Sequence, residues 1–214
     1  MLEGPCDVLL KQGDRLYNTI NNIAISASAL AISMAVIRNE TPPETGHAGI
    51  GCLGRPDLFV KLPASMAAFR AAFQDRRPDF IHFEIAEGSG LMAPYDGKGF
   101  HQTYGFKGTN RAMFFPHFVD FIERYKDWIY NNISGDRYQL PSEMCFALVI
   151  RDAISHNGID IWNKKESVTW GARTYSAKDN GRDPFLTNEL ALGDLVLLMI
   201  EVSILLNDAK CPVL

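Results

Sequence analysis

His156 stands five residues after Arg151 in the run Arg151, Asp152, Ala153, Ile154, Ser155, His156, Asn157. Those residue types at that spacing suit phosphodiester chemistry. A histidine moves protons near neutral pH, and a permanently charged arginine fork stabilises the charge that grows on phosphorus oxygens. An aspartate four residues before a histidine lies on the same face of a helix, so Asp152 is expected to reach His156 and fix its tautomer or raise its pKa. The bare R-x4-H pattern is common: twelve Arg and five His in 214 residues supply about 0.3 occurrences by chance. A second copy stands at Arg77 and His82 with Pro78 between them. Proline interrupts a helix, so that pair cannot share one continuous helical face and is set aside as a decoy.

The first copy has a better setting. A helix is expected over 141–157, with Pro141 at a first helical position and Asn157 and Gly158 as a C-terminal cap. On a wheel of about 100° per residue, Glu143, Phe146, Ala147, Ile150, Ala153 and Ile154 fall on one mostly apolar side. Arg151, Asp152, Ser155 and His156 then lie away from the core, open on the surface of one protomer. The helix dipole alone also favours Arg and His near a C-terminus, which is the ordinary structural explanation for the same residues.

The ArgAspAlaIleSerHisAsnGly run sits on the penultimate helix, after an apolar helix and before a hairpin and a final apolar helix. In this it resembles the HEPN superfamily, over about residues 115–210. The resemblance implies a metal-independent endoribonuclease acting as a homodimer, with two copies of the motif in one cleft and Arg151, Asp152 and His156 as catalytic residues. It implies no cofactor and no metal, RNA as substrate, a toxin or antiviral defence setting, and an inhibitory protein partner. Asp152 follows the arginine where the family more often has Asn, and residues 40–115 make the chain longer than a minimal member.

The elements that must position these residues are read from periodicity. One long helix is expected over 7–39, with Ala27, Ala31 and Ala35 as a seam of small side chains that another helix approaches. A second is expected over 64–77, ending before Pro78. A third covers 115–132, with Phe118, Ile122, Tyr125 and Ile129 on its apolar side and Glu123 among its polar residues. After the helix over 141–157, residues 159–162 and 167–170 read as two strands of a hairpin around a polar turn. A last apolar helix covers 194–208. The expected fold is therefore mostly α: a helical bundle of four or more helices, with a small β-hairpin inserted before the last helix. It forms a single domain over 1–214, with a Gly-rich loop or flap at about 86–112. Six glycines lie in 88–110, but Lys98 is followed by Gly99, so this is no phosphate-binding P-loop.

Composition is that of an ordinary globular chain, 47% hydrophobic and 21% charged, which excludes intrinsic disorder. A formal charge of −4 argues against broad non-specific coating of nucleic acid, which depends on counterion release by many Lys and Arg. Cys6, Cys52, Cys145 and Cys211 form no CxxC and no zinc-ligand spacing with His, so they read as reduced structural thiols in a cytoplasmic protein. Residues 16–37 carry no charge and are long enough to span a bilayer. Their load of Asn, Ser and Thr argues instead for a soluble protein with this stretch packed inside the bundle. A competing function is a non-catalytic helical module that binds RNA, a nucleotide or a protein through the same polar face. A third reading, an enzyme on small phosphorylated metabolites using 88–110, lacks a convincing helix N-terminus.

Overall fold

The computed structural model describes residues 2–88, 104–163 and 165–214, the side chains of 104–108 and 110 excepted. The expectation of a mostly helical bundle is overturned: the chain is mixed α/β. It contains a four-stranded antiparallel sheet in the order β1-β4-β3-β2, built from β1 (Cys6–Lys11), β2 (His47–Gly51), β3 (Leu58–Pro63) and β4 (Phe80–Glu87).

The alternation of side chains decides which face of the sheet is buried. Leu58, Val60 and Leu62 on β3 and Ile81, Phe83 and Ile85 on β4 are all buried. Val8 and Leu10 of β1 pair with Phe83 and Ile81 and extend the same face. The opposite face carries Leu9, His82 and a cross-strand pair in which Lys61 Nζ lies 2.9 Å from Glu84. Such a sheet, apolar on one side only, must be covered by helices. That cover is α1 (Tyr17–Ile37), which lies against β2, β3 and β4, and α5 (Leu192–Asp208), which lies against β2 and β3.

The long helix expected over 7–39 is thus split. Residues 6–11 pair with β4, Gly13 turns at φ +96°, and Asp14 accepts a hydrogen bond from the Lys11 N–H at 2.6 Å to close the turn. Leu16, Tyr17, Ile20, Ile23 and Ala27 of the helical part enter the core, and Ala35 is buried. Ala31 packs at the edge of the core, while Val36 and Ile37 are exposed. By length and composition α1 is apolar enough to cross a membrane, with a mean hydropathy of 1.8, and a third of that window is buried inside the fold.

The helix expected over 64–77 is shorter, α2 (Met66–Phe73), capped by the Ser65 hydroxyl, which accepts from the Ala68 N–H. The expected flap at 86–112 is corrected at both ends, because β4 runs to Glu87 and α3 (Tyr104–Asn132) starts well before Phe115 and continues through Pro116. Residues 89–103, including Tyr95, Lys98 and Phe100, lie outside the described residues.

Helix α4 (Ser142–His156) is the centre of the second half, buried continuously from Glu143 to Ile150. It packs on α3, on α5 and on a hairpin formed by β5 (Ser167–Trp170) and β6 (Arg173–Ser176). The hairpin is displaced from its expected strands, since 159–162 is not a strand and the turn falls at Gly171 and Ala172. Gly171 has φ +55°, and a Cβ there would stand 2.2 Å from the Gly54 carbonyl oxygen, so no other residue fits this turn. Trp170 and Tyr175 both pack on the Phe146 ring, at 5.6 Å between centroids in each case.

Sheet and helices are joined at the first turn of α5. Asp194, 1% exposed, accepts the N–H groups of Leu53, Gly54 and Arg55 from the β2–β3 connection, and that of Ala191 from its own cap. Burial pushes this carboxyl up, and the four backbone donors work against that by stabilising its charge. Replacing Asp194 by Ala strands these donors, so Asp194→Ala is expected to lower stability by about 3 kcal/mol or more. The exposed Asp208→Ala should shift a denaturant midpoint by less than about 0.5 kcal/mol. Equal midpoints for the two variants would refute the joint.

Candidate functional site

The three residues singled out in the sequence all lie on the last two turns of α4, but not in the expected pairing. Asn157 takes φ +60° and the Gly158 N–H reaches back to the Ala153 carbonyl at 2.9 Å, which ends the helix and leaves Ser155 and His156 exposed. Among the described residues no hydrogen bond or ion pair links His156 to Asp152.

Both oxygens of Asp152 are taken by arginines. Oδ1 accepts from Arg151 Nη1 at 2.6 Å and Oδ2 from Arg137 Nη2 at 2.5 Å. Arg137 comes from the short 3-10 turn Arg137–Gln139 that leads into α4, a turn started by Asp136, whose side chain accepts from the Tyr138 N–H. Arg151 also forms an ion pair with Glu123 of α3. The four residues make a row of alternating charge, Glu123, Arg151, Asp152, Arg137, bridging α3, α4 and the turn.

This row corrects the expectation that Arg151 and Asp152 lie open on the surface. Their side chains are only 16% and 14% exposed, because α3 and the 3-10 turn cover that side of α4. Arg137 is deeper still, at 5%. Burial works against its charge, but the Tyr130 hydroxyl and the Asp152 carboxylate outweigh that and hold it above its ordinary value. The Arg137 guanidinium also lies 4.4 Å from the centre of the Trp162 ring, whose other neighbour is the edge of Tyr138. Trp162 is 58% exposed, an unusual state for so large an apolar ring. The site therefore offers an exposed imidazole and an exposed indole around a buried, charge-balanced row.

Arg137 and Trp162 escaped the sequence reading, and Glu123 was seen only as part of a polar helix face. The signal for Arg137 was an arginine in a short connection directly before the penultimate helix. Trp162 was assigned to a strand that does not form. Among the described residues no group of three His, Cys, Asp or Glu is placed to hold a metal ion. All four cysteines are free thiols; burial raises the Cys52 thiol and pushes that of Cys145 up to about 11, so neither is a ready nucleophile. The decoy pair is apart from this site: His82 lies on β4, with Nε2 3.1 Å from Asp7.

No protein-family model, curated protein or solved structure matches the chain.

The burial order along the charged row sets the cost of breaking it. Asp152→Ala leaves the buried Arg137 without its carboxylate and is expected to cost about 3–5 kcal/mol. Glu123→Ala removes a partner that is 39% exposed and should cost under about 1 kcal/mol. Urea midpoints of the two variants decide the matter, and a larger loss in Glu123→Ala would contradict this arrangement.

Proposed function

We propose that this chain is a metal-independent endoribonuclease, acting as a homodimer in the cytoplasm, of the kind found in toxin or antiviral defence systems and held in check by an inhibitory protein. The observation that carries the reading is the exposed His156 at the end of α4, one turn beyond a row containing two arginines, the deeper of which lies against the exposed Trp162 indole. An exposed aromatic next to a cationic group is a stacking platform for a single-stranded base, and the exposed imidazole supplies the proton transfer. The resemblance of the Arg151 to His156 run to HEPN proteins supports the same reading. It covers about residues 115–210, the half that holds α3, α4, the hairpin and α5, and does not extend to the sheet.

In the proposed reaction the ribose 2′-oxygen attacks the adjacent phosphorus while His156 takes the hydroxyl proton. The bond from phosphorus to the 5′-oxygen breaks, and a second copy of His156 across the two-fold gives a proton to that leaving oxygen. The products are a 2′,3′-cyclic phosphate and a 5′-hydroxyl. Arg151 stabilises the charge on the non-bridging oxygens after releasing Glu123, which the phosphate anion replaces. Asp152 holds both arginines in place and does not act on the proton. DNA lacks the attacking hydroxyl and is left intact.

One observation favours the non-catalytic module instead: Arg151 already has two carboxylate partners, so a ligand meets a neutralised arginine. Incubating purified protein with single-stranded RNA in EDTA separates the readings. Cleavage is expected, with His156→Ala lowering the rate by about 10² to 10⁴ at an unchanged thermal midpoint, and Arg151→Ala lowering it by at least as much in a protein that stays folded at a lower midpoint, because Asp152 loses one of its two partners. Full-rate cleavage by His156→Ala removes the assignment. RNA bound and never cut selects the binding module. A monomer at micromolar concentration by light scattering removes the two-copy mechanism.

A further inference from the structure

Arg77 and His82, the pair set aside as a decoy, meet again at the rim of a cavity of about 270 Å³ between α1, α2 and the start of β4. On the α2 side the cavity is walled by small residues. Ala68, Ala71 and Ala72, at helical spacings of three and four, line the space together with Ala24 and Ile25 of α1 and Ile81 of β4. The large side chains of α2 point elsewhere: Phe69 and Phe73 pack on each other at 5.1 Å, and Phe73 is 81% exposed. The space is open to solvent on the side of Arg76, Arg77, Pro78 and Phe80, all exposed, so a ligand can enter it. An apolar cavity of about 150 Å³ takes benzene. A space of 270 Å³ takes a substituted ring or a chain of roughly eight carbons.

The rim is cationic. Helix α2 ends in a Schellman turn, with the Arg76 N–H donating to the Ala71 carbonyl at 2.9 Å, the Asp75 N–H to the Ala72 carbonyl at 3.1 Å, and Asp75 at φ +53°. This turn folds the chain back and sets Arg76 and Arg77 among the residues that line the cavity. Arg77 has one long hydrogen bond, to Asn18 at 3.4 Å, and Arg76 has no side-chain partner among the described residues. The carboxylates nearby do not line the space: Asp75 and Asp79 flank the same turn, and Asp7 is engaged with His82. Two arginines with open donor forks above an apolar cavity complement one kind of ligand, an anionic head on a short apolar tail.

We propose that this cavity binds a small amphipathic monoanion, with its tail among Ala24, Ala68, Ala71 and Ala72 and its carboxylate on Arg76 and Arg77. The site lies on α1, α2 and β4, apart from the α4 site, and stands or falls independently of the nuclease reading. The test is titration of alanine-methyl-labelled protein with octanoate and, separately, with octanol, followed by NMR. Octanoate is expected to shift the methyls of Ala24, Ala68, Ala71 and Ala72 and to bind about tenfold more tightly than octanol. The exposed double variant Arg76→Glu with Arg77→Glu should lose that preference, and Ala71→Leu, which fills the space, should lose binding of both. Should Ala71→Leu fail to fold, the arginine variant decides alone. Silence of these methyls in octanoate, equal binding of octanol by the parent, or undiminished octanoate binding by the arginine variant each overturns the proposal.

Discussion

Two carboxylates buried on α5 hold the sheet and the helices in one structure. Asp194 ties the first turn of the helix to the β2–β3 connection. Two turns further on, Glu201, also 1% exposed, accepts from the Trp170 indole at 2.5 Å and from the Leu2 N–H at 2.7 Å, with Arg55 at 3.8 Å. Removing a carboxylate from water costs several kcal/mol, and only a full set of donors offsets it. The donors come from the β2–β3 connection, the helix's own cap, the hairpin and Leu2, so the penalty is met only when sheet, hairpin and helix are all in place. Gly193 allows the approach, since a Cβ at that position would lie 2.6 Å from the Gly51 carbonyl oxygen. The helix that looks most purely apolar in sequence therefore sets the register between the two layers through its polar residues.

From that joint the candidate site follows. Trp170, fixed by Glu201, packs on Phe146 and so places α4 relative to α5. Helix α4, buried continuously from Glu143 to Ile150, is exposed only at its ends, and His156 falls at the C-terminal one. The core side of α4 was legible in sequence because a run of apolar residues at helical spacing has one stable solution. The site's charge balance was not. Glu123 lies 28 positions before Arg151 and Arg137 lies 15 before Asp152, and a wheel drawn for α4 alone contains neither. Arg137 of the 3-10 turn and the neighbouring Arg151, itself held by Glu123 of α3, took the two Asp152 oxygens that local spacing assigned to His156.

The sheet was misread for a different reason. Strand β4 alternates cleanly, with Ile81, Phe83 and Ile85 inward and Phe80, His82 and Glu84 on the other side, a period of two that the sequence carries openly. Its first residues also fit an interrupted helical motif, and Pro78, which ends a helix on propensity alone, precedes a strand as well. Strand β1 was hidden by continuity: residues 6–11 run through a short polar turn into the apolar α1, and apolar spacing alone does not show that break. Gly13, at φ +96°, is the residue that marks it. The early part of α3 was hidden in the opposite sense, because Gly105, Gly108 and Pro116 are poor helix formers and yet lie inside a helix. Tertiary context overrides propensity there.

The two cationic places on this molecule differ in what an anion must displace. At α4 each arginine already holds a carboxylate, so a phosphate gains only the difference between its own bonds and those it breaks. The burial gradient along the row makes that exchange one-sided. Asp152 cannot leave, because Arg137 beneath it is buried and stacked on Trp162; Glu123, at 39% exposed, can rotate into water at small cost. Arg151 is thus the one arginine of the pair with an exchangeable partner, and the exchange opens towards α3. At the α2 turn no carboxylate has to leave: Arg76 is exposed and free of partners among the described residues, Arg77 holds only a long bond to Asn18, and the gain from an anion is limited chiefly by solvent screening. An apolar tail in the cavity below adds what the exposed charge cannot, since its burial does not depend on ionic strength. On α4 salt screens the ion pair that is lost as well as the one that is gained, so the exchange responds to it little, whereas at the α2 turn salt weakens the contact to the anionic head and leaves the burial of the tail in place.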